Sequence, residues 1–208
     1  MSSVIPIRAF VNPAHIPTLV LIDLQQEYLA SPRVLAIPET VEALENCRLA
    51  LSHARAMGFP VAFVRWIGRS AFFNPATPFA RWIEGFEPVR TDMVFERDRP
   101  SCYASASFAE VMENGRGNFV IAGFAGEAAC LSTAIEAFHR GHSFTFLTDA
   151  SASHALDEIS ARDVHRTVSK IVSSYGDAAT TQTWIAATSH RGKGWEFGNG
   201  KENGRTAG

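Results

Sequence analysis

Lysine is nearly missing from this chain. Of 19 basic residues only Lys170, Lys193 and Lys201 are lysine, so the first 169 residues hold none. That excludes a phosphate-binding loop of the G-x-x-x-x-G-K-[ST] kind at the one Gly-containing strand–helix turn that might suit it, Gly123 to Gly126. Cysteine is also scarce: Cys47, Cys102 and Cys130 make neither an even disulfide framework nor a C-x-x-C metal pair, which points to a reduced, cytoplasmic setting. Charge of either sign is not in excess. The formal net charge is −2 and the basic residues are scattered, so no footprint for nucleic acid or an anionic membrane is present. No apolar run approaches the roughly 18 residues that a membrane span needs, and Met1 to Ile7 lacks the basic and apolar segments of a signal peptide. What remains, at 208 residues and 46% hydrophobic, suits one globular domain with a large core.

Hydrophobic patterning divides that domain into alternating strands and helices. Thr18 to Ile22 is a buried-strand run that ends in Asp23. Glu39 to Met57 has helical spacing and stops at Gly58. Pro60 to Trp66 and Met93 to Phe95 read as the second and third strands, separated by a long Pro-, Gly- and aromatic-rich loop from Gly68 to Arg90. A helix from Ser107 to Asn114, a strand from Asn118 to Ala122, a helix from Gly126 to His139 and a strand from Ser143 to Thr148 follow. A helix from Leu156 to Val172, a short extended piece near Asp177 to Thr180 and a helix through Trp184 complete the pattern. Such alternation predicts βαβ units with helices on both faces of a parallel sheet. Ligands then bind beyond the carboxyl ends of the strands, where Asp23, Trp66, Glu96, Arg97, Gly123 to Gly126 and Asp149 fall. Residues 1–188 form the predicted domain, and the aperiodic, polar stretch 189–208 reads as a flexible tail.

Three segments in this order resemble the isochorismatase-like cysteine-hydrolase superfamily, which includes isochorismatases, nicotinamidases and carbamoylsarcosine amidohydrolases. Leu21-Ile-Asp-Leu-Gln-Gln-Glu-Tyr28 is similar to its D-x-Q-x-(D/E)-(F/Y) opening. Ile121-Ala-Gly-Phe-Ala-Gly-Glu-Ala-Ala-Cys-Leu-Ser-Thr-Ala134 is similar to its G-V-x-T-x-x-C-V-x-x-T-A turn into a helix. Ala137-Phe-His-Arg-Gly-His142 with Thr148-Asp-Ala-Ser151 resembles the continuation. The resemblance implies a three-layer α-β-α sandwich around a mainly parallel six-stranded sheet, Rossmann-like in plan. It also implies a hydrolase acting on a small amide, carbamoyl or related compound as its only partner besides further copies of itself, in a dimer or tetramer. No cofactor and no metal are implied.

In the resembled family a cysteine thiolate at the start of the helix after the fourth strand attacks a carbonyl. An aspartate after the first strand takes the thiol proton, and a lysine after the third strand pairs with both. Backbone N–H groups beside a non-proline cis peptide hold the oxyanion. A helix N-terminus and a nearby cation lower a thiol pKa, and a carboxylate in hydrogen-bond reach serves as base. Carried onto this chain, Asp23 matches the base and Phe124, Ala125, Gly126 and Ala128 match the oxyanion backbone. Two positions depart. Arg97-Asp-Arg-Pro-Ser-Cys-Tyr103 places Arg97 where the lysine stands, and arginine does not give up a proton. Counting from Gly123 or back from Thr133 places Ala129 where the nucleophile stands. Cys130 is one residue late, a rotation of about 100° on a helix, which turns it toward the core, although it remains the alternative thiol.

Tyr28, Trp66, Trp82 and Cys102, with Phe72, Phe73 and Phe124, are the candidates to wall a substrate pocket. His139, His142, His154 and His165 lack metal-site spacing and read as surface or structural histidines. Three functional readings stay open. The first is a cysteine hydrolase with alanine in place of its nucleophile, as an engineered Cys-to-Ala change would produce. The second is an altered site that works without covalent catalysis, as protonation of a vinyl ether by Asp23 would. The third is a degenerate relative that binds a small ligand or only assembles.

Overall fold

A computed structural model describes residues 16–69, 71–115 and 117–189. The predicted tail, apart from Ser189, lies outside the described residues. Six strands, β1 (Thr18–Ile22), β2 (Val61–Trp66), β3 (Met93–Arg97), β4 (Asn118–Gly123), β5 (Ser143–Ser151) and β6 (Asp177–Ala179), form one sheet in the order β3-β2-β1-β4-β5-β6. Every pairing is parallel. Five α-helices cover it: α1 (Val41–Ala56), α2 (Ala106–Asn114), α3 (Leu131–His139), α4 (Ala161–Val172) and α5 (Thr181–Thr188).

The central strands are apolar on both faces because both are covered. Leu19 and Leu21 of β1 point into a core shared with Ala43, Cys47, Leu51 and Trp184 of α1 and α5. Val20 and Ile22 point the other way, against Phe108, Ala134 and Val164 of α2, α3 and α4. Period-two alternation in a strand thus feeds two separate helical layers. The strand order reverses between β1 and β4, and in such sheets ligands bind beyond the carboxyl ends of the strands at that switch point.

Several boundaries differ from the sequence expectation. β3 runs on to Arg97 and β5 to Ser151, because parallel partners continue beside them: Trp66 pairs with Arg97 and Gly123 with Ser151. α4 begins at Ala161 rather than Leu156. Leu156 and Ile159 instead close on each other through paired backbone bonds, and Ser160 caps the helix by accepting from the Asp163 N–H at 3.1 Å. The helix predicted from Gly126 starts as a π-helical turn, Gly126–Cys130, and becomes regular only at Leu131.

Candidate active site

Asp23 follows the last residue of β1 with φ +48°, a left-handed conformation that aspartate tolerates better than most residues. Its N–H is held by the Val64 carbonyl at 2.8 Å, so the sheet itself aims the side chain past the strand end. There it meets Arg97 at the end of β3: the guanidinium Nη2 donates to Asp23 Oδ2, and both side chains are sealed from solvent. Arg97 also donates through Nη1 to the Arg99 carbonyl and lies over the Trp66 ring, 4.8 Å from its centre. Burial pushes the Asp23 carboxyl up to about 6, while Arg97 and, more weakly, the Trp66 backbone pull it down. Asp23 Oδ1 and Arg97 Nε have no hydrogen-bond partner among the described residues.

Gln25 fixes the strand ends around this pair. Its amide donates to the carbonyls of Trp66 at 3.0 Å and Ala80 at 2.9 Å, and its oxygen accepts from the Trp66 N–H at 2.9 Å. One buried side chain therefore ties β1, β2 and the 68–90 loop together. Glu27 does the same further out, accepting from Arg33 and from the Phe73 N–H at 3.2 Å. That loop buries Phe73, Ala80, Ile83 and Phe86.

Beside Asp23, β4 turns into α3. Gly123 has φ +115°, and a Cβ there would sit 2.1 Å from the Ile22 carbonyl oxygen, so only glycine lets β4 close on β1 at this point. The Phe124–Ala125 peptide is cis. Three of the four positions named for an oxyanion hole already use their N–H groups within the fold. Phe124 donates to Ile22 at 2.8 Å, Gly126 to Ala152 at 2.8 Å and Ala128 to Ala125 at 3.2 Å. Ala125 is the remaining one of the four.

Ala129 is buried in the π turn, 2% exposed, and brings no chemistry of its own. Cys130 is fully buried, with its sulfur 3.6 Å from the Gly123 carbonyl and 3.8 Å from the Ser151 hydroxyl. Burial drives its pKa well above the ordinary thiol range; the Ser151 hydroxyl opposes that only in part, and Cys102, Asp23 and Glu127 add to the rise. The helix-start position thus loses to desolvation, and the thiol stays protonated. The π turn moderates the rotation expected for Cys130: it packs in the α2–α4 layer yet remains within electrostatic reach of Asp23.

The four predicted pocket residues do not line one pocket. Tyr28 lies beside Phe124 and Phe73, ring centres 5.9 and 5.3 Å apart. Trp66 backs Arg97 and borders an open cavity of about 850 Å³ with Gly68, Arg69 and Asp98. Trp82 packs instead on Phe63, at 5.5 Å, and faces a separate hollow of about 300 Å³ with Gln26 and Phe79. Cys102 is buried with the side chains of the α2–α4 layer, its N–H on the Thr133 hydroxyl at 3.0 Å, and its thiol lies beside the Arg97 guanidinium, pushed up to about 11 by burial against the pull of that charge. Trp82, from the 68–90 loop, thus lines a different hollow from Trp66, whereas the Cys102 thiol stays beside Arg97.

Two residues that the sequence reading passed over or treated as structural stand close by. Glu127, in the π turn, accepts from His154 Nδ1 at 2.7 Å, and His154 Nε2 donates to the Leu35 carbonyl at 3.0 Å. The His154 ring stacks at 5.8 Å from Tyr28. Glu127 carried a signal: a carboxylate two residues before Ala129, in the turn that opens the helix. His154, 27 residues away, carried none.

A parallel α/β sheet with a buried Asp–Arg pair beyond its strand ends, flanked by a glycine-led π turn, defines the architecture of this site. Comparison with known proteins matches residues 17–190 to the model of the isochorismatase domain. The chain belongs to the isochorismatase family. An uncharacterized isochorismatase family protein of Bacillus subtilis, YddQ, is 27% identical over 142 residues, which cover 66% of this chain and 78% of that protein. The crystal structure of an isochorismatase from Pseudomonas putida is 27% identical with a TM-score of 0.76, covering 83% of this chain and 93% of that one. A cysteine hydrolase from Pseudomonas syringae pv. phaseolicola has a TM-score of 0.76 at 20% identity, over 86% and 94% of the two chains, a likeness of fold.

Proposed function

We propose that this chain is a hydrolase that cleaves a small compound by proton transfer at Asp23, without a covalent intermediate. One observation carries the reading: Asp23 is a buried carboxyl raised to about 6 with an unpartnered Oδ1, while the turn beside it offers no thiol able to ionise. A group with that pKa is present in both forms near neutrality, which general acid–base catalysis requires. Cleavage of a vinyl ether fits this better than thioester chemistry on an amide. The Asp23 acid gives its proton to the terminal vinyl carbon, and the double-bond electrons form the new C–H bond. Water then adds to the oxocarbenium carbon and returns a proton to the Asp23 carboxylate. The resulting hemiacetal breaks its C–O bond to leave a carbonyl compound and an alcohol.

A second reading, binding without turnover, rests on a different observation: solvent reaches neither Asp23 nor, beyond 2% of its surface, Ala129. Assays of the chain and of Asp23→Asn and Cys130→Ser variants on small vinyl ethers and small amides separate the readings. The proposal expects vinyl-ether turnover that declines as pH rises above about 6, since the acid form of Asp23 is the reactant. It expects a loss of roughly 10²–10⁴-fold in Asp23→Asn and no change in Cys130→Ser. Amide turnover with an acyl adduct on Cys130 would overturn it in favour of covalent catalysis. No turnover of any compound would favour the binding protein.

A further inference from the structure

Asp23 reaches its site by leaving the sheet, and the ladder does not end where it leaves. In a parallel pair, the rung after the Asp23 N–H bond to Val64 would run from the Trp66 N–H to the Asp23 carbonyl, and the next from the Gln25 N–H to the Trp66 carbonyl. Neither forms. With φ +48° at Asp23 the chain turns, and the Gln25 N–H takes the Asp23 carbonyl at 2.7 Å. One side chain replaces both rungs. Gln25 Oε1 accepts from the Trp66 N–H at 2.9 Å, and Gln25 Nε2 donates to the Trp66 carbonyl at 3.0 Å. The amide thus stands where a peptide group of a continuing β1 would stand, and a second donation, to the Ala80 carbonyl at 2.9 Å, fixes which way round it sits. Gln25 is fully buried, so water does not compete for these bonds.

Two consequences reach Asp23. Trp66 is held from both sides, by Gln25 and by β3, where it pairs with Arg97 and the Ile67 N–H bonds the Arg97 carbonyl at 2.9 Å. Its ring backs the guanidinium that holds Asp23. The Trp66 N–H also lies against the Asp23 carboxylate, so one hydrogen serves two acceptors. The titratable groups facing Asp23 are Arg97 on β3, Tyr28 after β1, Cys102 after β3 and Cys130 in the π turn. Burial keeps Tyr28, Cys102 and Cys130 protonated near neutrality, which leaves Arg97 and the Trp66 N–H as the groups that favour the carboxylate.

We propose that Gln25 is a positioning residue for the reaction at Asp23: its amide continues the β1–β2 ladder in place of the departed strand and draws the Trp66 N–H away from the carboxyl that transfers the proton. This rests on the reading of Asp23 as the acid, and adds the residue that governs how readily Asp23 keeps its proton. Gln25 itself touches no reacting atom. With its oxygen removed, the Trp66 N–H passes wholly to Asp23 while β3 keeps Trp66 in place, and a hydrogen bond to the ionised form favours that form.

Proton–nitrogen correlation NMR of the isotope-labelled full chain tests this without turnover. In the native chain the Trp66 amide signal is expected to titrate with the Asp23 carboxyl, and in Asp23→Asn that titration should be absent. In Gln25→Met, similar in length but without an amide, the midpoint should fall by about one pH unit, the rough worth of one N–H bond to a carboxylate. Gln25→Glu, buried beside Asp23 and therefore protonated, keeps a carbonyl acceptor and should titrate no lower than the native chain. On a vinyl ether, the decline of turnover with rising pH should begin about one pH unit lower in Gln25→Met. A merely structural loss would lower turnover at every pH and leave that point where it is. Near-UV circular dichroism checks folding; should Gln25→Met not fold, the native titration and Gln25→Asn, one methylene too short to reach Trp66, decide in its place. A Trp66 amide that does not follow Asp23, or a midpoint at or above the native one in a folded variant lacking the acceptor, would overturn the assignment. The expected titrations in a chain that turns over no vinyl ether would sink the acid–base reading alone, so the two failures are seen separately.

Discussion

Arg97 gives Nη2 to Asp23 and Nη1 to the Arg99 carbonyl, and its planar head lies over the Trp66 ring. Such a pair costs desolvation on both sides, so its removal by halves is worse than its presence. Arg97→Met should destabilise the fold by about 3–5 kcal/mol in urea denaturation, because Asp23 is left buried without its cation. The same change should move the Asp23 pKa further above 6, since the attraction that now opposes burial is gone. Arg97→Lys keeps the charge and should cost about 1–2 kcal/mol for the lost Arg99 bond and stacking. Equal stability of Arg97→Met and the native chain would mean that the pair does not contribute. At this scale Asp23 and Arg97 were legible, because a charged residue closing an apolar strand has one natural place to go. The place of His154 was not, because its partners Glu127 and Leu35 lie far from it in the chain.

The β4–α3 turn concentrates what is unusual about the elements. Gly123 permits the approach of β4 to the Ile22 carbonyl, and the π turn seats Ala129 and Cys130 before α3 becomes regular. Gly123→Ala should be among the most damaging single changes available. It meets backbone rather than a movable side chain, at a φ that alanine avoids, and should cost above about 4 kcal/mol, the range of exceptional single substitutions. Thermal unfolding of the purified variant, or its failure to accumulate as folded protein, checks this. A melting temperature within a few degrees of the native value would show that the turn can relax. Strands were readable from runs such as Thr18 to Ile22, and helix ends from Gly58 and Gly115. The π turn was not, since its i→i+5 bonding, Cys130 N–H to the Ala125 carbonyl, leaves the apolar spacing of a helix unaltered. The late start of α4 was hidden for a similar reason: Leu156 and Ile159 fit a helical stripe but bond to each other.

For the whole molecule, the 71–86 loop is folded inward and offers no apolar surface for the homo-oligomer that the family resemblance implies. A different surface now supports it. Val34, Val41, Leu156 and Ile159 are exposed on segments that the His154–Leu35 and Arg162–Glu39 contacts draw together, and Val41 lines a groove of about 470 Å³ between the starts of α1 and α4. Light scattering at micromolar concentration should report a dimer or larger, and Val41→Asp should shift it toward the monomer. A native monomer would refute self-association. Among the described residues no helix is long and apolar enough to cross a membrane. The layered α/β plan and the two strand-end charges were determined by sequence alone, because strand period, helix period and turn glycines are local and leave their record in adjacent residues. That all three thiols are buried, which N–H groups are already spent, and that Glu127 meets His154 while Trp66 and Trp82 line separate hollows were decided only by tertiary structure. Burial and hydrogen-bond competition depend on groups that the chain brings together from 27 to more than 100 residues apart.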